Sequence, residues 1–210
     1  MNELPALLGI AATLAVGAAS PGPSFVMVAK AAVSSSRSAG LAAALGMGAG
    51  GVIFAAAVLL GLHGLLLAVP AAYLVFKVAG GLYLVYLGSR IWRSARQPLE
   101  LAGAAAGARR GTAKSFVLGL TTQISNPKTA IVYASVFAAF LPAARSVGFS
   151  LAVVALVFLI EVGWYSLVAL ALSSDRPRKA YLRYKEWVDR AAGGVMVALG
   201  LKLLASADRV

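Results

Sequence analysis

"SPGPS", Ser20 to Ser24, interrupts an apolar run that opens the chain and continues to Val28. Two prolines around a glycine remove backbone donors and should end a helix, yet the surrounding run is long and apolar enough to demand one. Reading the fold comes down to what that break faces.

The chain has 210 residues, 60% of them hydrophobic and 12% charged, with 22 Gly and eight Pro, and a mean hydropathy of +0.86. This lies outside the range of a soluble globular domain and marks a membrane protein. Long Ala/Leu/Val windows suit helices of about 20 residues, the length that crosses the hydrocarbon layer, rather than the short alternating strands of a barrel. Glu3 stands where a secretory signal would carry positive charge, and the apolar run passes the "AVGAAS" candidate cleavage site, so the first segment reads as a retained helix. With no cysteine, thiol redox chemistry and thiolate metal sites are excluded.

Six windows read as spanning helices: 4–30, 40–62, 68–90, 115–141, 148–172 and 187–206. The net charge of +12 collects between them, which opposes a nucleic-acid partner, since that role calls for a basic folded face with interleaved aromatics. The link "RIWRSARQPLELAGAAAGARRGTAK" (90–114) carries Arg90, Arg93, Arg96, Arg109, Arg110 and Lys114 against Glu100 alone. "SSDRPRKAYLRYKE" (173–186) carries Arg176, Arg178, Lys179, Arg183 and Lys185, and the first link holds Lys30 and Arg37. "HGLLLAVP" (63–70) and "PAARSVG" (142–148) contain one strong base, Arg145. The positive-inside rule therefore puts the three basic links in the cytoplasm and both termini outside.

The expected fold is an all-α membrane protein, a single transmembrane domain over 1–210. Three helices in 1–92, a cytoplasmic loop at 93–114 and three helices in 115–210 form two repeats of opposite orientation. Short matches support the repeat. Lys77-Val78-Ala79-Gly80-Gly81 corresponds to Arg190-Ala191-Ala192-Gly193-Gly194, and Ser20-Pro21-Gly22-Pro23 corresponds to Ser125-Asn126-Pro127-Lys128. Paired Gly/Pro interruptions in corresponding segments of two halves point to the binding site of a secondary transporter.

An unsatisfied backbone group in hydrocarbon costs several kcal/mol, so such breaks must face protein or water. After Pro23 and Pro127 new half-helices begin, with Ser20 or Ser24 and Asn126 available as caps, and their first amides form seats for a carboxylate. Two structural kinks repaired by neighbouring helices would satisfy the same sequence. Lys77, Lys128 and Glu161 fall near the centres of their spans, where an unpaired charge costs at least about 2.5–3.5 kcal/mol. The functional reading has Lys128 and the half-helix ends hold a substrate carboxylate while Glu161 meets an ammonium or carries a proton; Lys77 contacts substrate or neutralises Glu161. A Lys–Glu pair that pins helix packing is the structural alternative. The candidate binding residues are thus Pro21, Gly22, Pro23, Ser24, Lys77, Asn126, Pro127, Lys128 and Glu161, with Glu161 also assigned to proton coupling. No metal site or cofactor is expected.

Other features carry less. Gly46, Gly48, Gly50 and Gly51 suit close helix packing, and the GxxxG spacing leaves a homodimer open. Trp92 and Trp187 read as interface anchors, Trp164 and Tyr165 as aromatic lining, and His63 as a residue of an outer turn.

Together, "SPGPSFVMVAKAAVSSSRSAGLAAALGMGAG" (20–50), "GLHGLLLAVPAAYLVFKVAGGLYLVYLGSRIWR" (61–93) and "NPKTAIVYASVFAAFLP" (126–142) resemble the LysE/RhtB family of bacterial amino-acid exporters. The resemblance covers nearly the whole chain. It implies an inner-membrane, multi-pass efflux carrier for amino acids or close derivatives, driven by the proton gradient, with amino acid, protons and membrane lipid as partners. The signature positions it carries over are Pro21, Gly22, Pro23, Gly40, Gly46, Lys77, Gly80, Tyr83, Gly88, Asn126, Pro127 and Lys128. The chain departs from the family pattern at Ser35-Ser36-Arg37 and at Gly81, and the outward direction rests on the resemblance alone.

A divalent-cation exporter would need several intramembrane His, Asp or Glu residues, of which only Glu161 is expected. A membrane enzyme acting on lipid or isoprenoid phosphate would use Lys77 and Lys128 as phosphate binders but would lack a base or a metal-binding carboxylate pair. A transporter, not an enzyme, is the favoured reading. One central carboxylate suits one ammonium group, which favours neutral amino acids over dibasic ones.

Overall fold

The computed structural model describes residues 3–19, 22–68, 70–97, 111–142 and 145–205. The described residues form eight helices and no strand: α1 (Leu4–Ala19), α2 (Pro23–Ser34), α3 (Arg37–Ala68), α4 (Pro70–Ser94), α5 (Thr112–Ser125), α6 (Pro127–Phe140), α7 (Val147–Leu172) and α8 (Asp175–Ala205).

The windows expected at 4–30 and 115–141 are each split by the same local device. A residue before proline is driven out of the α region by the proline ring. Gly22, ahead of Pro23, is extended at φ −155° and ψ −170°, and Asn126, ahead of Pro127, lies at φ −81° and ψ 108°. Each proline then occupies the first turn of a new helix, where its missing N–H costs nothing. Across the first break the chain bends by 57°.

By length and composition, α3 and α7 are apolar enough to cross a membrane, and the bent α1–α2 pair makes a third crossing if it counts as one span. The helix expected at 187–206 is α8, which begins at Asp175. The basic link expected there is made largely of good helix formers, and (i, i+4) pairs brace it: Lys185 to Asp189 and Glu186 to Arg190, both at 2.7 Å. Likewise α3 runs on to Ala68, so His63 is helical rather than part of a turn; its side chain lies outside the described residues, as does most of the central loop.

Two apolar cores form, and α7 threads both. The first gathers Ile10, Leu14, Tyr133, Phe137, Val153, Val157 and Met196. The second gathers Phe25, Val28, Met47, Tyr165, Ala169 and Leu172. Glu161 sits on α7 between the portions belonging to each core.

Small residues set the closest helix contacts. A methyl added at Gly193 would stand 2.7 Å from the Gly88 carbonyl oxygen, and one added at Gly200 would stand 2.6 Å from that of Gly81. Residue 81 meets 200 and residue 88 meets 193, so α4 and α8 run antiparallel, backbone against backbone, at two levels seven residues apart. On α3, a side chain at Gly46 would collide with the backbone of Phe116 and Leu120, and one at Gly50 with Gln123; α3 and α5 therefore pack in parallel.

Polar contacts tie the helix ends into two groups. At one end Glu3 accepts from the Ser146 N–H and hydroxyl at 2.9 and 3.0 Å, and Arg145 donates to the Leu59 carbonyl at 2.7 Å. At the other, Arg37 donates to Ser173 at 3.4 Å and Arg96 to Glu186 at 3.1 Å.

The α4–α8 contact generates a test. Gly88→Val should destabilise the detergent-solubilised protein by about 1–3 kcal/mol through overpacking, visible as a lower unfolding temperature. Gly61→Ala, where nothing lies within 4 Å, should leave that temperature unchanged or slightly higher.

Candidate functional site

The two breaks meet. Ser24, in the first turn of α2, donates its hydroxyl to Gln123 Oε1 of α5 at 2.8 Å and accepts from Asn126 Nδ2 at 2.9 Å. Asn126 turns its other side-chain atom to the start of α6, where Oδ1 accepts the Lys128 backbone N–H at 3.0 Å. All three side chains are buried: Gln123 1%, Ser24 2% and Asn126 4% exposed. Asn126 therefore acts as the expected cap of α6. Ser24 instead lies inside α2 and bridges to the opposite break, and α2 receives no side-chain cap at Gly22. Ser20 and Pro21 lie outside the described residues.

The Lys128 side chain crosses the first break. A methyl on Gly22 would stand 3.3 Å from Lys128 Cδ and 3.4 Å from Nζ, so the absence of a side chain at Gly22 gives the lysine its path. The Lys128 ammonium lies within electrostatic reach of Glu161 on α7 and of Asp189 on α8.

Glu161 is 4% exposed and accepts the Tyr133 hydroxyl on Oε1 at 2.8 Å; the Gln123 side chain also interacts with the carboxylate, while Oε2 has no donor in full hydrogen-bond geometry. Gly51 of α3 makes room for this pair, since a methyl there would stand 2.9 Å from the Tyr133 hydroxyl and 3.1 Å from Glu161 Cγ.

These groups line a cavity of about 20 Å³, walled by Gly22, Ser24, Asn126, Lys128, Thr129, Tyr133, Glu161 and Tyr165, with Leu14, Gly17, Ala18 and Val132 supplying an apolar side. That space suits about one water and is too small for an amino acid, so in this conformation the site is closed. It combines one cation, one carboxylate with an unfilled oxygen, several hydroxyls and a helix N-terminus. Such a set suits a small zwitterion.

Of the candidates named from sequence, Gly22, Ser24, Asn126, Lys128 and Glu161 converge here. Pro23 and Pro127 are exposed; they act on the backbone and do not line the cavity. Lys77 lies within α4, three residues before Gly80, which packs against Ser135 of α6, but the lysine's side chain is outside the described residues. Tyr165 lines the cavity, whereas Trp164 packs on the second core. Gln123, Thr129 and Tyr133 were not singled out from sequence. Their signal was spacing: Asn126, Thr129 and Tyr133 recur on one face of α6, and Gln123 lies one turn before Asn126. Among the described residues no group of three His, Cys, Asp or Glu side chains could hold a metal.

The LysE type translocator model matches residues 15–207. The threonine efflux protein of Salmonella typhimurium is 32% identical over 188 residues, covering 89% of this chain and 91% of that one. The threonine efflux protein of Escherichia coli is 30% identical over 200 residues, covering 95% and 97%. An uncharacterized membrane protein of Haemophilus influenzae is 27% identical over 190 residues, covering 90% of each. No solved structure matches the chain significantly. With the match spanning both helix breaks and every polar residue that lines the cavity, the chain belongs to the LysE type translocator family and is a multi-pass membrane transporter, not an enzyme.

Proposed function

We propose that this protein exports small neutral amino acids, threonine foremost, across the bacterial inner membrane in exchange for protons. Contact between the two helix breaks, with Lys128 laid across Gly22 and Ser24 joined to Asn126, is the observation that carries this reading. It brings a cation, the free amides of a helix start and a carboxylate to one enclosed point. Lys128 and the first amides of α2 hold the substrate carboxylate. Glu161 receives the ammonium group or the exchanged proton, and the hydroxyls of Ser24, Thr129 and Tyr133 accommodate a hydroxylated side chain. The two threonine efflux relatives support this substrate class.

The same reading takes the chain as six crossings in two inverted repeats, with both termini outside and the basic links in the cytoplasm. Three features support it: the antiparallel run of α4 against α8, the parallel run of α3 against α5, and the sorting of helix-end contacts into two groups. Glu3, Leu59, Arg145 and Ser146 would mark the outer end; Arg37, Arg96, Ser173 and Glu186 would mark the inner one. The cavity must widen to admit an amino acid, and rocking of one repeat against the other supplies that motion in carriers of this architecture.

Counterflow of radiolabelled threonine in proteoliposomes tests the reading. Threonine should exchange, and an imposed pH gradient should drive its accumulation; absence of counterflow for every neutral amino acid tried would refute the proposal. Lys128→Ala should leave folded protein in the membrane but lower counterflow by about ten- to a hundredfold, the loss expected for a buried charge-assisted contact. Near-normal exchange would remove the lysine from the site. Glu161→Gln should abolish either the response to the pH gradient or the preference for substrates bearing an ammonium group. Wild-type behaviour in both respects would make the residue structural.

A further inference from the structure

Two carboxylates are buried among the described residues, Glu161 at 4% and Asp189 at 3% exposed. The sequence reading counted only the first as intramembrane. Asp189 lies inside the expected window 187–206, and extension of α8 back to Asp175 adds its partner Lys185 to the same helix.

Lys185 Nζ donates to Asp189 Oδ2 at 2.7 Å and to the Ala95 carbonyl at 3.3 Å, which fastens α8 to the chain just beyond α4. Asp189 Oδ1 is buried and accepts no hydrogen bond. Tyr181, two turns earlier on the same face of α8, also has a buried hydroxyl without a partner. Its ring stacks on Phe25 in the first turn of α2, with centroids 5.2 Å apart. This face of α8 is thus turned toward the first helix break, and Asp189 lies within electrostatic reach of Tyr181 and Lys128. Contacts Arg96–Glu186 and Lys185–Ala95 put the cluster at the bundle end that bears the basic links.

A buried ion pair kept only for structure needs its remaining lone pairs satisfied, because each unfilled carboxylate oxygen carries a desolvation cost. Here one carboxylate oxygen and one hydroxyl are left without partners two turns apart on one helix face, the carboxylate within electrostatic reach of Lys128. A primary ammonium supplies three donors and fits that demand.

We infer that Asp189, oriented by Lys185, forms with Tyr181 a cytoplasmic subsite that takes the ammonium group of an incoming amino acid while its carboxylate faces Lys128. The inference rests on the proposed transport function and adds a first stop before the central cavity. Lys128 then serves two carboxylates in succession: Asp189 on entry and Glu161 at the closed site.

Transport kinetics measured from each membrane face test it, using inside-out and right-side-out vesicles, radiolabelled threonine, and the analogue bearing a hydroxyl in place of the ammonium. Asp189→Asn should raise the KM from the cytoplasmic face by about tenfold or more, the loss of one charge-assisted contact. It should leave the outer-face KM within about twofold, and the cytoplasmic-face preference for threonine over the analogue should fall by the same factor as affinity. Asp189→Glu should retain the preference. If Asp189→Asn alone does not fold because it strands Lys185, Lys185→Met with Asp189→Asn removes the pair whole and should show the same one-sided change. An equal KM rise at both faces, or an unchanged preference for the ammonium, would make the pair a structural latch and overturn the inference while leaving the transport reading intact. Absence of amino-acid transport by the unaltered protein would overturn both.

Discussion

Backbone polar groups in a bilayer have no water to turn to, so a helix that stops inside the membrane must find its partners in protein. That constraint organises this molecule. The break at Gly22–Pro23 and the break at Asn126–Pro127 are brought together, and Ser24, Gln123 and Asn126 link one to the other. Asn126 spends its amide on both tasks: Nδ2 reaches the first break while Oδ1 caps the second half-helix. Both breaks are held by protein contacts, and the space between them gathers Lys128 and Glu161.

Packing around that point follows from small residues. Gly46, Gly50 and Gly119 let α3 and α5 approach until backbone meets backbone, and Gly81, Gly88, Gly193 and Gly200 do the same for α4 and α8. Such contacts drive association where lipid is as apolar as the side chains themselves. The apolar cores lie on either side of the breaks, with Glu161 on the helix that belongs to both.

Much of this was legible in the sequence. Proline dictates the conformation of the residue before it, so the positions of both breaks could be read directly, as could the need for each to face protein. Charges in an apolar run announce themselves, which is why Lys128 and Glu161 were found. What escaped were groups whose meaning depends on a neighbour far along the chain. Gln123 is an unremarkable amide until Ser24 stands opposite it, and Tyr133 matters because Gly51 leaves room for its contact with Glu161. Asp189 falls inside the expected window 187–206, but its meaning depends on Lys185 and the Ala95 carbonyl, both of which lie outside the expected spans. Direction of transport leaves no trace in spacing or composition and enters through family membership.

The account depends on a zwitterion lying between the two breaks, its carboxylate on Lys128 and the first amides of α2. An experimental density map of the protein with threonine bound tests that most directly. The account predicts the carboxylate within hydrogen-bonding distance of Lys128 Nζ, beside Gly22, with the ammonium toward Glu161 or Asp189. A bound amino acid that touches neither Lys128 nor the start of α2 would contradict it.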